Sequence, residues 1–172
     1  MTAMEKELQI HPIPPLYNER SRVLILGSFP SVKSREAAFF YAHPQNRFWR
    51  VLSAVLGEET PVGTEEKRAL ALRHGVALWD VIGRCEIAGS SDASIGAVVP
   101  NDLGPILRAA DIRAIFCNGG TSYAYYERLL REKTGREAIR LPSTSPANAR
   151  CSLEMLTERY RAALTPFLRA DG

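Results

Sequence analysis

The chain has 172 residues, 45% of them hydrophobic and 24% charged, with a formal net charge of +3. That length and balance describe a single soluble globular domain, 1–172, with chain enough for a proper core, and they exclude a disordered or fibrous protein. No stretch approaches the ~18 continuous apolar residues of a membrane span, and the opening MTAMEKELQIHPIPP carries early charge and no apolar signal core. The expected location is therefore cytoplasmic. The mild basic excess permits a nucleic-acid partner without demanding one.

In chain order, His11-Pro12-Ile13-Pro14-Pro15 is a stiff extended lead-in, because each Pro fixes its own φ and biases its predecessor away from helix. A buried strand is expected at about residues 22–26, stopping at Gly27-Ser28. A polar loop follows with Ser31, Lys33, Ser34, Arg35 and Glu36, then the aromatic triplet Phe39-Phe40-Tyr41 and the segment His43-Pro44-Gln45-Asn46. Residues 47–56 read as a helix with Phe48, Leu52, Val55 and Leu56 inward. A second helix is expected over 64–74, with Thr64 as its N-cap and Gly75 closing it.

Residues 76–81 read as a second buried strand, and 83–99, which has no period, as a loop. A short helix starting at Pro100-Asn101-Asp102 carries Ile106 and Leu107. A third strand at 112–117 ends at Asn118-Gly119-Gly120, and a helix over 121–133 sets Tyr123, Tyr126 and Leu130 on one side. A fourth strand at 138–141 runs into Pro142-Ser143-Thr144-Ser145-Pro146-Ala147-Asn148. The last helix, from about residue 152, buries Leu153, Leu156, Tyr160, Leu164 and Phe167. Strands alternating with helices predict a parallel sheet covered on both faces, a three-layer α/β/α sandwich.

In such a sheet ligands bind outside the carboxyl ends of the strands, and the four loops leaving those ends all hold unusual residues. Each also has a plain reading. Gly27-Ser28 suits a tight turn, Asn46 an N-cap, Asp80 a solvated strand end, and Asn118-Gly119-Gly120 a helix start. Phosphate-loop and dinucleotide patterns are absent, which weighs against a small-molecule nucleotide hydrolase. Cys85, Cys117 and Cys151 are too few and too scattered for a disulfide framework or a cysteine-held metal, so free thiols are expected.

GSFPS followed by FFYAHPQNRFW resembles the uracil-DNA glycosylase superfamily, and within it the family 6 branch of hypoxanthine-DNA (deoxyinosine) glycosylases. The resemblance extends over about residues 22–149. It implies a central four-stranded parallel sheet in order 2-1-3-4 and a monofunctional enzyme that flips a deaminated base out of DNA and hydrolyses its N-glycosidic bond. It assigns catalysis to Asn46, since Phe29 fills the place where many relatives carry an Asp or Asn. A base pocket would be made by Gly27, Ser28, Phe29, Tyr41, Asp80 and Asn118, with Tyr41 stacking on the base. DNA would be held by Ser31, Lys33, Ser34, His43, Ser143, Thr144, Ser145, Pro146, Ala147 and Asn148, the last loop resembling one that enters the minor groove.

Arg35, Arg47, Arg50 and Arg150 would extend a basic rim around these loops. The resemblance implies no cofactor and no metal cluster, a DNA substrate, no membrane partner and a monomer. Two rivals share the scaffold. One removes uracil, or thymine from mismatches; the other binds damage without excising it.

Overall fold

The computed structural model describes residues 5–168. The chain runs β1 (Glu7–Ile10), β2 (Val23–Gly27), α1 (Val32–Ala37), α2 (Phe48–Leu56), α3 (Gly63–Arg73), β3 (Val76–Asp80), β4 (Ile82–Ile87), β5 (Gly96–Pro100), α4 (Gly104–Ala109), β6 (Ala114–Asn118), α5 (Gly120–Leu129), α6 (Arg131–Thr134), β7 (Ala138–Leu141) and α7 (Leu153–Leu168). The main sheet is parallel, in order β3-β2-β6-β7, which is the expected 2-1-3-4 order of its strands.

Alternation along β2 builds two cores. Val23 and Ile25 point to one face and pack with Phe48 and Leu52 of α2, Leu70 of α3, and Leu156, Tyr160 and Leu164 of α7. Leu24 and Leu26 point to the other, against Ile106 of α4, Tyr126 of α5 and the apolar side of β4. With both faces covered, every residue of β2 is buried, and the strand reads as a continuous apolar run.

The second layer corrects the loop expected over 83–99. That segment supplies β4 and β5, and β4 pairs antiparallel with β1 on one side and β5 on the other in a small sheet. Register shifts between β4 and β5 break the pairing, and the buried residues of β4 fall at Ile82, Cys85 and Ile87. A bulged strand loses its period of two, so the sequence offers no alternation to read. The polar loop after β2 likewise hides α1, which Ser31 caps by accepting the N–H of Ser34.

Other boundaries move for local reasons. The helix expected from Thr64 starts at Gly63, and Glu66 rather than Thr64 accepts the exposed N–H of Val62. The helix expected over 121–133 breaks at Leu130 into α5 and α6. Leu153 is exposed and Phe167 only half-buried, while Leu156, Tyr160 and Leu164 form the buried stripe of α7.

The proline-rich lead-in has a definite job. Leu16 exchanges backbone hydrogen bonds with Leu78, and Trp79 donates its indole N–H to the carbonyl of Ile13. The segment thus lies along the outer edge of β3, where its prolines withhold donors from further pairing.

The cysteines are free, with Cys85 and Cys117 buried and Cys151 half-buried. Burial, followed by the charge of Glu127, pushes the Cys117 thiol up to about 12, and burial also raises Cys85. Because the thiolate is the reactive form, a disulfide reagent at pH 8 is expected to modify Cys151 alone in the native protein and all three thiols in denaturant. Rapid modification of Cys117 in the native state would contradict this packing.

Candidate active site

The loops at the carboxyl ends of the parallel strands enclose a cleft of about 390 Å³, ample for a nucleobase. From the β2 side come Gly27, Ser28, Phe29, Ser31, Ser34, Tyr41, His43 and Asn46; β3 gives Asp80, β6 gives Asn118, and the loop after β7 gives Ser143, Thr144, Ser145, Pro146 and Ala147. Of the residues expected to catalyse, form the base pocket or hold DNA, Lys33 and Asn148 lie outside this lining, as do the arginines of the expected rim. Lys33 is exposed and pairs with Glu36, and Asn148 uses its amide to hold the carbonyl of Ser143.

Deep in the cleft sits Asp80, only 4% exposed. Parallel pairing sets it opposite Gly27, and a Cβ on Gly27 would come within 2.4 Å of Asp80 Oδ1. Only a glycine lets the carboxylate cross the neighbouring strand. One carboxylate oxygen, Oδ2, takes a hydrogen bond from His11 Nε2 at 2.7 Å. His11 Nδ1 accepts the backbone N–H of Ile13, so the imidazole proton sits on Nε2 and the ring can only donate to Asp80. His11 was not foreseen as part of the site; its sequence signal, a lone His at the head of a proline-rich lead-in, shows nothing of the carboxylate 69 residues away. Asp80 Oδ1 accepts no hydrogen bond from the described residues.

The aromatic triplet divides its labour. Phe39 and Phe40 are buried, and the carbonyl of Phe40 takes the indole N–H of Trp49. Tyr41, held at φ +53°, lays one ring face on Phe48 with centroids 4.0 Å apart. Its hydroxyl is buried without a hydrogen bond among the described residues, 3.3 Å from the point where a Gly27 Cβ would stand. Burial first, then the charge of Asp80, pushes this hydroxyl well above its ordinary value; Asn118 opposes the shift without reaching hydrogen-bonding geometry. It therefore stays a neutral donor.

Asn46 is not the N-cap itself, which is Arg47, but stands one residue before it and still satisfies an N–H at the helix start. Its Oδ1 accepts the N–H of Phe48, the first residue of α2, at 2.9 Å, and the hydroxyl of Thr144 at 2.9 Å. Its Nδ2 has no hydrogen-bond partner among the described residues, and Asn46 is part of the cleft lining.

Several expected DNA contacts are instead internal. Thr144 is 0% exposed, and its hydroxyl already serves Asn46 and Asn118, which leaves no hydroxyl hydrogen for a phosphate. Ser34 is buried and accepts the N–H of Ala42. Arg35 donates to the carbonyls of Pro30 and Gly89, and Arg47 to those of Thr144, Ser145, Asn148 and Cys151. These arginines brace loops. Lys33, Arg50 and Arg150 remain exposed, as do Pro146 and Ala147 at the tip of the last loop.

Replacing Arg47 with Met should cost about 2–3 kcal/mol, because carbonyls that it ties together lose a charged donor at once. A urea titration reads this as a lower midpoint. An unchanged midpoint would mean that the loop is held elsewhere.

Cleft, lead-in and last loop all fall within residues 14–169, or just before them, and that stretch matches the sequence profile of the Uracil DNA glycosylase superfamily. Two proteins named hypoxanthine DNA glycosylase are similar to this chain. The one from Methanosarcina acetivorans is 36% identical over 140 residues, 81% of this chain and 88% of its own length. That from Methanosarcina barkeri is 36% identical over 140 residues, 80% of this chain and 87% of its own. A solution NMR structure from Methanosarcina acetivorans, described as a candidate uracil DNA glycosylase, superposes with a TM-score of 0.78 at 31% identity, covering 92% of this chain and 99% of that one. Profile, sequence and superposition agree over nearly the whole described fold, and the chain belongs to the uracil DNA glycosylase superfamily.

Proposed function

We propose that this protein is a monofunctional DNA glycosylase that removes hypoxanthine from deoxyinosine and leaves an abasic site. One observation carries the choice of base. Among the described residues Asp80 Oδ1, an acceptor, and the Tyr41 hydroxyl, a donor, have no hydrogen-bond partner, and both crowd Gly27 in the wall of the cleft. An unpaired buried donor costs about 1–3 kcal/mol, which a ligand can offset by supplying the missing acceptor. A ring N–H beside a carbonyl, the lactam edge of hypoxanthine, meets both needs. Adenine presents the reverse, a ring acceptor beside an amino donor, and is turned away. Phe48 covers one face of the Tyr41 ring, leaving at most the other for a stacked base.

Uracil also carries a lactam edge, so the pocket chemistry alone admits it. The names of the two similar Methanosarcina proteins favour hypoxanthine. In the reaction the C1′–N9 bond breaks with its electron pair leaving on the base, water adds its oxygen to C1′, and the water's proton ends on the base. Asn46 is the catalytic amide that faces this event. No lysine lines the cleft among the described residues, and Lys33 is engaged outside it, so strand cleavage through a Schiff base has no amine to use. The substrate is DNA carrying a deaminated base, flipped at a cost of a few kcal/mol that is least for a mispaired nucleotide. Ser143, Ser145, Pro146 and Ala147 line the cleft on the strand side. Exposed Pro146 and Ala147 fill the gap left in the stack. We read the enzyme as a monomer that acts without a cofactor in the cytoplasm.

The test is base release from duplexes carrying a single deoxyinosine, deoxyuridine or deoxyadenosine, with liberated base resolved by chromatography. Hypoxanthine released faster than uracil, and no adenine, supports the reading. Uracil alone would move the specificity to the rival on the same scaffold. Tight binding without release of either would make this a protein that detects damage without excising it.

A further inference from the structure

Side-chain amides rotate freely between two orientations that differ in which end accepts, and here both amides at the cleft wall are fixed by groups that can only donate. The backbone N–H of Thr144 points at Asn118 Oδ1 at 3.0 Å. That bond fixes Asn118 with its Nδ2 toward the Thr144 hydroxyl, 3.0 Å away. Since Nδ2 donates, the Thr144 oxygen accepts there, and its single hydrogen is directed to Asn46 Oδ1 at 2.9 Å. The N–H of Phe48 meets the same oxygen. Asn46 therefore has its acceptor end turned to the wall and its two N–H bonds turned to the cleft.

We infer that Thr144 is a positioning residue, which with Asn118 behind it locks Asn46 as a hydrogen-bond donor to the departing base. This rests on the glycosylase reading of the cleft and chooses between two roles that the reading leaves open. An amide that presents only N–H groups cannot take a hydrogen from an attacking water. It can stabilise negative charge as it develops on the leaving base. The loop after β7 therefore sets the working direction of a residue before α2.

Three substitutions and one spectrum test the inference. Thr144→Val removes the hydroxyl at nearly constant shape and is expected to slow single-turnover hypoxanthine release roughly tenfold to a hundredfold, with affinity for an uncleavable deoxyinosine analogue unchanged. Thr144→Ser restores the hydroxyl and should restore the rate. Asn46→Asp keeps both donors to Oδ1 but presents an acceptor to the cleft, and it should be as slow as Asn46→Ala. In a 15N–1H spectrum, the Asn46 side-chain amide should be shifted and protected in the wild type and should lose both features in Thr144→Val.

Wild-type release by Thr144→Val, or an Asn46→Asp enzyme at least as fast as wild type, would overturn the inference. Should Thr144→Val fail to fold, Asn46→Asp and the wild-type spectrum still decide it. If the wild type releases no base, the glycosylase reading fails while the spectrum continues to report on the lock itself.

Discussion

Asn46→Ala is expected to lower hypoxanthine release by about 10²–10³-fold, the cost of losing one preorganised donor aimed at developing charge. The same change removes the side-chain acceptor for the Phe48 N–H at the start of α2, worth about 1 kcal/mol of stability. The two effects separate experimentally, since a loss of that size leaves a domain of ordinary stability almost wholly folded. Single-turnover rates would fall steeply while the thermal midpoint shifts by a few degrees. If the rate survives with the midpoint lowered, Asn46 is a helix cap and nothing more. If both survive, the amide serves neither purpose, and its two hydrogen bonds to Oδ1 are incidental.

What the sequence shows and what it hides can be followed through particular residues. Three of the parallel strands, β2, β3 and β6, are legible because each is an apolar run almost wholly buried, whereas the edge strand β7 leaves Ile139 and Arg140 exposed and shows itself only as a short run before a Pro/Ser loop; the loops that leave all four are legible by residue type. The run HPQNRFW carries the family resemblance because His43, Asn46 and Phe48 are each placed by the fold at or behind the cleft. Hydrogen bonds spanning long sequence separations leave no such trace. Thr144 looks like one more hydroxyl in a Pro/Ser loop, and only the fold shows it buried between Asn46 and Asn118. Arg47, at the head of α2, looks like a phosphate contact until the loop of residues 142–152 closes over it. The small antiparallel sheet stays hidden because bulges remove its alternation.

Asp80→Asn is expected to narrow the pocket's preference for hypoxanthine over adenine, not merely to lower the rate. His11 Nε2 carries a hydrogen, fixed there by the Ile13 N–H on the other ring nitrogen, so it must face an acceptor. The new amide would therefore turn its oxygen to His11 and its NH2 to the cleft. An acceptor for the ring N–H of hypoxanthine becomes a donor pointed at it, and two donors meet in a buried site. Rejection of that kind rests on buried polar groups left unpaired, and it should cost at least about 10²-fold in hypoxanthine release. The ring acceptor of adenine would meet the new donor favourably, so the ratio of hypoxanthine to adenine release should narrow even though the absolute rates are low. The measurement is competitive release from duplexes carrying deoxyinosine and deoxyadenosine in the same context. A uniform loss for both bases would assign Asp80 to holding the fold through His11. Undiminished hypoxanthine release would show that the base edge is read without it, and would leave the Tyr41 hydroxyl as a buried group in the pocket still in want of a partner.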